Sequence, residues 1–524
     1  MIADAPSGTA VPLLHDYLIE SAGRLPGKVA LVCGGQRVTY GELDSRSNAF
    51  AHALRRRGVA RGDRLLVFMD NTVENVVAFW GTLKANAIVS VVNPLTKADK
   101  LAYLLNDCRA AALVSDAHLA GVFADAAPRC AHLRAVIVSG AMPAQRLAAL
   151  PGGTAWGEAL AAEDAAAAPP RLCLDVDLAT IIYTSGSTGE PKGVMLTHRN
   201  MLTAATSVSE YLGMREAVVV LAVLPLAFDY GLYQVIMALR VGASVVLERS
   251  FTCPAAVLNT VVAEGVTGFP GVPTIFAILA EMKSLERYDF SKVRYVTNTA
   301  AALAAKHIDR LRAIFPRAQI YSMYGLTECK RCTFLPPQDL ARKPGSVGVA
   351  IPNTELWLVD EHDNRVPPGH IGQLVIRGAT VMRGYWEKPE ATARKLRPGP
   401  LPGEQVLYTG DYCRLDDDGY LYFVGRMDDI IKSRGEKVAP KEVENAIVGI
   451  DGVREAAVIG VPDEVLGEAV KAFVVLEAGA RLTEKDIQRQ CQMRLELFMV
   501  PKVIVIVAEL PRTNTGKVTK AGLS

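Results

Sequence analysis

Apolar positions along the chain follow two periods, one typical of strands and one typical of helices. Short apolar runs such as "DRLLVFMD" (63–70), "AIVSVVNP" (87–94) and "AAALVSD" (110–116) predict buried strands. Between such runs, "YGELDSRSNAFAHALRRRG" (40–58) repeats apolar residues every three to four positions and predicts an amphipathic helix. This alternation predicts parallel sheets covered by helices over most of the chain.

The pattern changes between residues 353 and 425, where Gly- and Pro-rich turns separate short strands and no long helical repeat occurs. We interpret this region as a small β-rich subdomain. Beyond it, Pro440 begins one predicted helix, and Thr483 and Asp486 form the capping pattern of another over 483–498.

These patterns predict an α/β fold with two domains. Residues 1–427 form a large N-terminal domain of two layered α/β subdomains plus the β-rich subdomain. Residues 428–524 form a small α+β C-terminal domain.

Composition narrows the possible partners. The 524 residues include 57 basic and 55 acidic side chains, a net charge of +2, which argues against nucleic acid or an anionic membrane as a partner. The longest apolar stretch is interrupted by Pro225, Asp229 and Gly231, so no membrane span is expected. The first ten residues do not resemble a signal peptide, and the nine cysteines are expected as reduced thiols. A cytoplasmic protein is therefore expected.

The stretch "YTSGSTGEPKGV" (183–194) concentrates glycines and hydroxyls beside Lys192, a composition suited to binding an anion with several oxygens. It does not fit the P-loop pattern G-x-x-x-x-G-K-[ST], because Pro191 and Gly193 occupy the positions of glycine and of the hydroxyl residue. Apolar runs on both sides predict a strand–loop–strand phosphate loop.

This loop resembles the phosphate loop of the adenylate-forming enzymes, which include acyl- and aryl-CoA synthetases, peptide-synthetase adenylation domains and firefly luciferase. Further motifs of that family follow in the same order: "LKANAIVSVVNP" (83–94), "YSMYGLTE" (321–328), "YTGD" (408–411), "GRMDDIIKSRGEKVAP" (425–440) and "LPRTNTGKV" (510–518). The resemblance implies an enzyme that joins a small carboxylic acid to AMP, releases pyrophosphate from ATP, and transfers the acyl group to a thiol. CoA is the expected thiol.

The resemblance also implies roles for individual residues. Lys517 is expected to bridge the carboxylate and the α-phosphate, Glu328 to bind Mg²⁺, and Thr327 to contact the α-phosphate. Asp428 is the expected hinge about which a mobile C-terminal domain rotates. Gly435 and Lys437 are expected to line the channel through which the thiol enters. Binding of ATP or AMP is implied for Thr184, Ser185, Gly186, Ser187, Thr188, Gly189, Lys192, Tyr324, Gly325, Thr327, Asp411 and Arg426.

The expected acid pocket departs from the pattern of many acyl-CoA synthetases. Phe228 stands in place of their histidine, and Asp229 follows it. Asp229 either pairs with an amino group of the substrate, as in peptide-synthetase adenylation domains, or caps the following helix. Asn298 and Thr299 add polarity to the pocket strand. Arg331 either contacts a second substrate carboxylate or faces solvent.

Three alternatives stay open at this point. The enzyme could load an α- or β-amino acid onto the phosphopantetheine of an acyl carrier protein in trans, since no carrier domain follows Ser524. It could oxidise its adenylate as luciferase does. It could also bind adenylates without catalysis, although Lys192, Glu328, Asp411 and Lys517 argue against that. A homodimer is possible.

Overall fold

A computed structural model describes most of the chain, namely residues 12–161, 163–184, 190–299, 305–433, 436–463, 467–512, 518–520 and 522–523. Helices and strands alternate along it, as the apolar pattern predicts. The α-helices are α1 (Asp16–Arg24), α2 (Tyr40–Arg56), α3 (Val73–Lys84), α4 (Ala98–Asp107), α5 (Ala120–Ala126), α6 (Ala144–Ala148), α7 (Trp156–Ala161), α8 (His198–Tyr211), α9 (Asp229–Val241), α10 (Pro254–Ala263), α11 (Pro273–Glu281), α12 (Ala305–Ile314), α13 (Pro389–Lys395), α14 (Pro440–Val448) and α15 (Glu484–Gln492).

The strands contribute to four sheets. They are β1 (Val29–Cys33), β2 (Gln36–Thr39), β3 (Arg64–Phe68), β4 (Ile88–Val92), β5 (Ala110–Asp116), β6 (Ala135–Ser139), β7 (Gly153–Ala155), β8 (Leu178–Thr184), β9 (Lys192–Thr197), β10 (Val219–Ala222), β11 (Ser244–Leu247), β12 (Gly268–Gly271), β13 (Tyr295–Asn298), β14 (Gln319–Tyr324), β15 (Thr333–Leu335), β16 (Val349–Ala350), β17 (Thr354–Val359), β18 (Ile371–Gly378), β19 (Gly384–Tyr385), β20 (Leu396–Pro398), β21 (Gln405–Leu415), β22 (Leu421–Arg426), β23 (Ile431–Ser433), β24 (Glu436–Val438), β25 (Val453–Asp463), β26 (Gly467–Leu476) and β27 (Val503–Ile506).

Two large sheets form the bulk of the fold. One has nine strands in the order β16-β15-β14-β13-β12-β10-β11-β1-β2, and the other has eight in the order β19-β9-β8-β4-β3-β5-β6-β7. A single core joins apolar residues of both sheets with residues of α2, α3, α8 and α9, including Phe50, Trp80, Met201 and Tyr233. These helices therefore lie between the sheets, which confirms the predicted layering.

Helix boundaries agree with the local sequence signals. Thr39 accepts the backbone N–H of Glu42 and the Glu42 carboxylate accepts that of Thr39, so a capping box begins α2 at Tyr40 as predicted. Thr483 and Asp486 form a second capping box at the start of α15. That helix ends at Gln492, which is shorter than the predicted span to residue 498.

The region predicted to be β-rich contains a five-stranded antiparallel sheet of β17, β18, β20, β21 and β22. The region also contains one short helix, α13, which begins at Pro389 and has seven residues, so it does not contradict the prediction that no long helix occurs here. A separate sheet of β23 to β27 carries α14 and α15 on a core of its own, which includes Val443, Ile447 and Ile487. Within the described residues, no helix is long and apolar enough to cross a membrane.

Candidate active site

The carboxyl ends of four parallel strands place part of the predicted site, including the expected acid pocket, at one sheet edge. Strands β10, β12, β13 and β14 run parallel, with Asn298 beside Gly271 and Ser322 in the ladder. Helix α9 begins shortly after β10, and the segment 325–332 follows β14 directly. Ligands of open α/β sheets bind at this kind of edge, outside the carboxyl ends of the strands.

The predicted phosphate loop is the connection of a β-hairpin. Strands β8 and β9 are antiparallel, and Thr184 lies opposite Lys192 at their ends. The Thr184 hydroxyl donates to the Lys192 carbonyl at 3.4 Å. This arrangement confirms the strand–loop–strand prediction. The loop residues Ser185, Gly186, Ser187, Thr188 and Gly189 lie outside the described residues, so their part in binding stays a prediction.

Tyr385 connects this hairpin with Glu328, which lies in the turn that follows β14 of the other large sheet. It lies in β19, which pairs with β9. Its hydroxyl donates to Glu328 Oε1 at 2.7 Å, and the Lys192 ammonium lies 5.7 Å from its ring centroid. Burial raises the pKa of Tyr385, so the hydroxyl keeps the proton that it donates. Sequence reasoning missed this residue, for which the aromatic pair "YW" after Gly384 was the available signal.

Glu328 has the chemistry of a magnesium ligand for a nucleotide. The backbone N–H of Met382 donates to its carbonyl at 2.7 Å and fixes the turn that carries it. One carboxylate suits Mg²⁺, which takes most of its ligands from water and phosphate oxygens. The only group of three or more potential metal ligands among the described side chains is Asp70, Asp116 and His118, which does not include Glu328.

Asp411 is buried among aromatic and cationic neighbours. It accepts a hydrogen bond from the Tyr324 hydroxyl at Oδ2, and Arg426 Nε lies 3.5 Å from Oδ1. The side chain is 2% exposed, and this burial raises the pKa of Asp411 against the opposing effects of Tyr324 and Arg426. No described residue donates a hydrogen bond to Oδ1. That atom can therefore accept a ligand hydroxyl.

The segment after β14 folds back tightly on itself. The Cys332 N–H donates to the Tyr324 carbonyl at 3.0 Å, and Lys330 has a left-handed backbone with φ of 64°. A Cβ at Gly325 would overlap with the Lys330 carbonyl, so glycine is required there by close backbone approach. Thr327 and Glu328 lie in the turn between them.

Two cations and one carboxylate meet at the expected acid pocket. Asp229 Oδ2 lies 3.0 Å from Lys330 Nζ, and Asp229 Oδ1 accepts the Tyr230 N–H at 2.8 Å. Phe228, not Asp229, occupies the cap position of α9, and its side chain makes no capping bond. Asp229 is therefore the first residue of the helix, and the alternative that it is the N-cap of α9 is wrong. The Lys330 ammonium also lies 3.5 Å from the Tyr233 ring centroid, and burial lowers the pKa of Lys330 to about 7.

Arg331 is 3% exposed, so the alternative that it faces solvent is wrong. Its guanidinium lies 4.4 Å from the ring centroid of Tyr230, and Nη1 donates to Met323 Sδ at 3.2 Å. Asn298 and Thr299 are buried at the end of β13. The structure thus brings Asp229, Lys330 and Arg331 together beside the strand ends.

Some predicted residues are not described. Lys517 and Gly435 lie outside the described residues, and so do the side chains of Asp428 and Lys437. Their roles in adenylation, hinge motion and thiol entry stay predictions.

Sequence reasoning also missed two cysteines in the segment 325–332 that follows β14. The thiols of Cys329 and Cys332 lie 3.0 Å apart and are fully buried. The C-x-x-C spacing in "ECKRC" is the signal that could have identified the pair.

Comparisons with known proteins give a consistent result. The family model for the AMP-binding enzyme matches residues 18–386, and that for the AMP-binding enzyme C-terminal domain matches residues 442–517. A long-chain-fatty-acid–CoA ligase of Escherichia coli O6:H1 is 32% identical over 538 residues, which cover 97% of this chain and 94% of that protein.

Solved structures agree with this match. The anthranilate CoA ligase AuaEII in complex with anthranoyl-AMP superposes with a TM-score of 0.88 at 28% identity, covering 98% of this chain and 96% of its own. A benzoate CoA ligase from Burkholderia xenovorans LB400 gives a TM-score of 0.86 at 29% identity, covering 97% and 99%.

Proposed function

This chain belongs to the AMP-binding enzyme family, and from that premise we propose that its site joins a small carboxylic acid to CoA at the expense of ATP. The acid first attacks the α-phosphate of ATP, giving an acyl-adenylate and pyrophosphate. The CoA thiol then attacks the activated carbonyl, and AMP leaves. The enzyme is an AMP-forming acid–thiol ligase.

The strongest support for the assignment of the ATP site comes from the contacts of Tyr385. Tyr385 contacts both the carboxylate of Glu328 and the ammonium of Lys192, although Lys192 lies in β9 and Glu328 follows β14 of the other large sheet. A cation at the end of a phosphate-loop hairpin and a carboxylate suited to Mg²⁺ are the two groups that a triphosphate requires. We assign Lys192 to the phosphates and Glu328 to Mg²⁺.

Asp411, Tyr324 and Arg426 are assigned to the nucleoside. Asp411 Oδ1 faces Arg426 at 3.5 Å, and its remaining acceptor capacity suits a ribose hydroxyl. Tyr324 supplies an aromatic ring beside the same carboxylate, and we propose that adenine stacks on it. Thr327, in the turn with Glu328, is assigned to the α-phosphate.

The C-terminal domain is proposed to act in both half-reactions. In this scheme Lys517 approaches the carboxylate and α-phosphate for adenylation. Rotation about Asp428 then brings the segment of Gly435 and Lys437 to the site for thiol entry. The separate core of β23 to β27 with α14 and α15 supports motion of this domain as a unit.

The charges in the acid pocket bear on whether the acid carries an amine. A carboxylate awaiting a substrate ammonium would have no cation of its own, whereas Asp229 already has Lys330 at 3.0 Å. Lys330 thus occupies the place of a substrate amine, and this favours an acid without an amino group. Activation of an amino acid, with transfer to a carrier-protein phosphopantetheine, is the second candidate, because Asp229 would fit an ammonium if Lys330 moved aside.

The proposal is tested by measuring pyrophosphate release with ATP and Mg²⁺ over fatty, aryl, α-amino and β-amino acids, with and without CoA. We expect acid-dependent pyrophosphate, with AMP and the CoA thioester formed in equal amounts. ADP and phosphate as products would contradict the proposal. Oxygen consumption without CoA would instead indicate a luciferase-like oxidase.

Glu328→Gln provides the matched test of the metal assignment. The neutral amide is a weaker Mg²⁺ ligand of the same shape, so the variant should require more Mg²⁺ for half-maximal rate. An unchanged Mg²⁺ titration would remove Glu328 from the metal site.

A further inference from the structure

Arg331 is a buried cation with few partners. Its guanidinium has five N–H donors, and within the described part of the chain its hydrogen-bond partners are the sulfur of Met323 at 3.2 Å and the hydroxyl of Tyr211, neither of which carries a charge. A thioether sulfur is a weak acceptor. Its other close contact is the face of the Tyr230 ring at 4.4 Å. No carboxylate among the described side chains lies within ion-pair distance of the guanidinium.

Such an arrangement is unfavourable for the free protein. A buried charge is normally paired and hydrogen-bonded, because removing it from water is costly. An arginine cannot escape this cost by losing its proton. Contact with an aromatic face offsets part of the cost, but it satisfies none of the remaining N–H donors.

The Asp229 carboxylate already has partners within the protein. Asp229 contacts the Lys330 ammonium at one oxygen and accepts the Tyr230 N–H at the other. Arg331 nevertheless shares the surroundings of Asp229, since Tyr230 follows Asp229 in α9 and hydrogen-bonds to Thr297 beside the pocket strand end. The missing anion for Arg331 therefore has to come from the molecule that enters this pocket.

We propose that the acid activated by this enzyme carries a second carboxylate, which binds the guanidinium of Arg331. The inference rests on the proposed function and specifies its substrate class. One carboxylate of the acid is adenylated, while the other accepts hydrogen bonds from the planar fork of Arg331. The Tyr230 ring lies 4.4 Å from this guanidinium, and Met323 Sδ accepts a hydrogen bond from its Nη1.

The experiment compares matched pairs of acids that differ only in the second carboxylate. Linear dicarboxylic acids of three to eight carbons are paired with their monomethyl esters, and benzene dicarboxylic acids are paired with theirs. Acid-dependent pyrophosphate release gives kcat/KM for each member. We expect at least one pair in which the wild type prefers the diacid by about 10²-fold, the order of effect reported for a buried charge-assisted contact.

Three variants test whether the preference for the diacid depends on Arg331. Arg331→Met removes the charge at similar length and should abolish the preference by lowering kcat/KM for the diacid alone. Arg331→Lys keeps the positive charge but lacks the planar guanidinium, so it should retain part of the preference for the diacid. Arg287→Met is the matched control, because Arg287 also lies over a tyrosine ring, that of Tyr288, but is exposed. It should change nothing.

Thermal unfolding of the same variants shows whether Arg331 binds a ligand or stabilises the fold. Since the free protein has an unpaired charge at Arg331, Arg331→Met should unfold at the same temperature as the wild type or higher. The inference is overturned if monoesters are activated as well as every diacid, or if Arg331→Met lowers both members of a pair equally. If no acid releases pyrophosphate, the proposed function fails instead.

Discussion

Lys84 and Lys330 are both buried lysines, and they differ in how many hydrogen-bond acceptors the protein places around each ammonium. Lys84 Nζ donates to the Asp44 carboxylate at 2.5 Å, the Asp44 carbonyl at 3.1 Å and Asn48 Oδ1 at 2.7 Å. Its three hydrogens thus have three acceptors. Lys330 has the Asp229 carboxylate at 3.0 Å and the face of the Tyr233 ring.

The neighbouring residues strengthen this contrast. Lys84 is the last residue of α3 and is only 2% exposed. Lys330 stands next to Arg331, a second cation without a described anionic partner, at the sheet edge where ligands bind. A complete set of partners thus marks a structural charge, and an incomplete set marks a charge that awaits a ligand.

The largest expected effect is on stability at the structural site. Lys84→Met leaves Asp44 without its cation and Asn48 without its donor, so it should lower the free energy of unfolding by about 3 kcal/mol. Urea unfolding of the variant checks this. Acid preference should be unchanged, and a shift in preference would erase the distinction between the two sites.

A smaller effect on stability is expected from the buried imidazole of His198. Its Nδ1 accepts the Leu14 N–H at 3.1 Å, and burial lowers the pKa of His198 to about 4. Because the folded protein binds this proton less readily than the unfolded chain, the stabilisation is complete above about pH 6.5 and is lost as the pH falls towards 4. Between pH 7 and 5 this group alone should remove about 2 kcal/mol of stability.

The control for this prediction is His198→Gln, which cannot titrate. Urea unfolding at both pH values should show a smaller difference for the variant than for the wild type. An identical pH dependence in the two proteins would assign the effect to other groups.

The smallest expected stability effect belongs to Lys330. Lys330→Met removes one ion pair, whereas Lys84→Met removes three hydrogen bonds, so the loss of stability should be smaller, about 1 kcal/mol. The change in substrate preference is more informative. With its internal cation removed, Asp229 should accept a substrate ammonium, and kcat/KM for amino acids should rise relative to their deaminated analogues.

The Asp229→Ala variant sharpens that result. If Lys330 already satisfies Asp229 in the wild type, this change should leave the ratio of amino acid to deaminated analogue unaltered. A loss of amino-acid activation by about 10²-fold would show instead that the substrate amine binds Asp229, as in the second candidate function.

Local signals in the sequence predicted much of this molecule. The alternation of apolar runs predicted the layers, the Thr483–Asp486 pair predicted a helix start, and the hairpin of the phosphate loop followed from the apolar runs around it. Each of these depends on residues close together in the chain, where periodicity and capping chemistry act directly.

Contacts between distant segments could not be predicted in this way. Tyr385 and Glu328 lie 57 residues apart, and Lys330 and Asp229 come from different strand connections. Their pairing depends on strand order, which no local pattern specifies. The end of α15 at Gln492 shows the same limit, because its apolar repeat continues past the point where the helix stops.

The most direct test of the account is the affinity of two non-hydrolysable acyl-adenylate mimics, acyl-sulfamoyl adenosines that differ only in a second carboxylate on the acyl group. Calorimetric titration would compare both mimics on the wild type and on Arg331→Met. We expect the wild type to bind the carboxylate-bearing mimic about 10²-fold more tightly and Arg331→Met to bind both equally. Equal affinity of the two mimics for the wild type would contradict it.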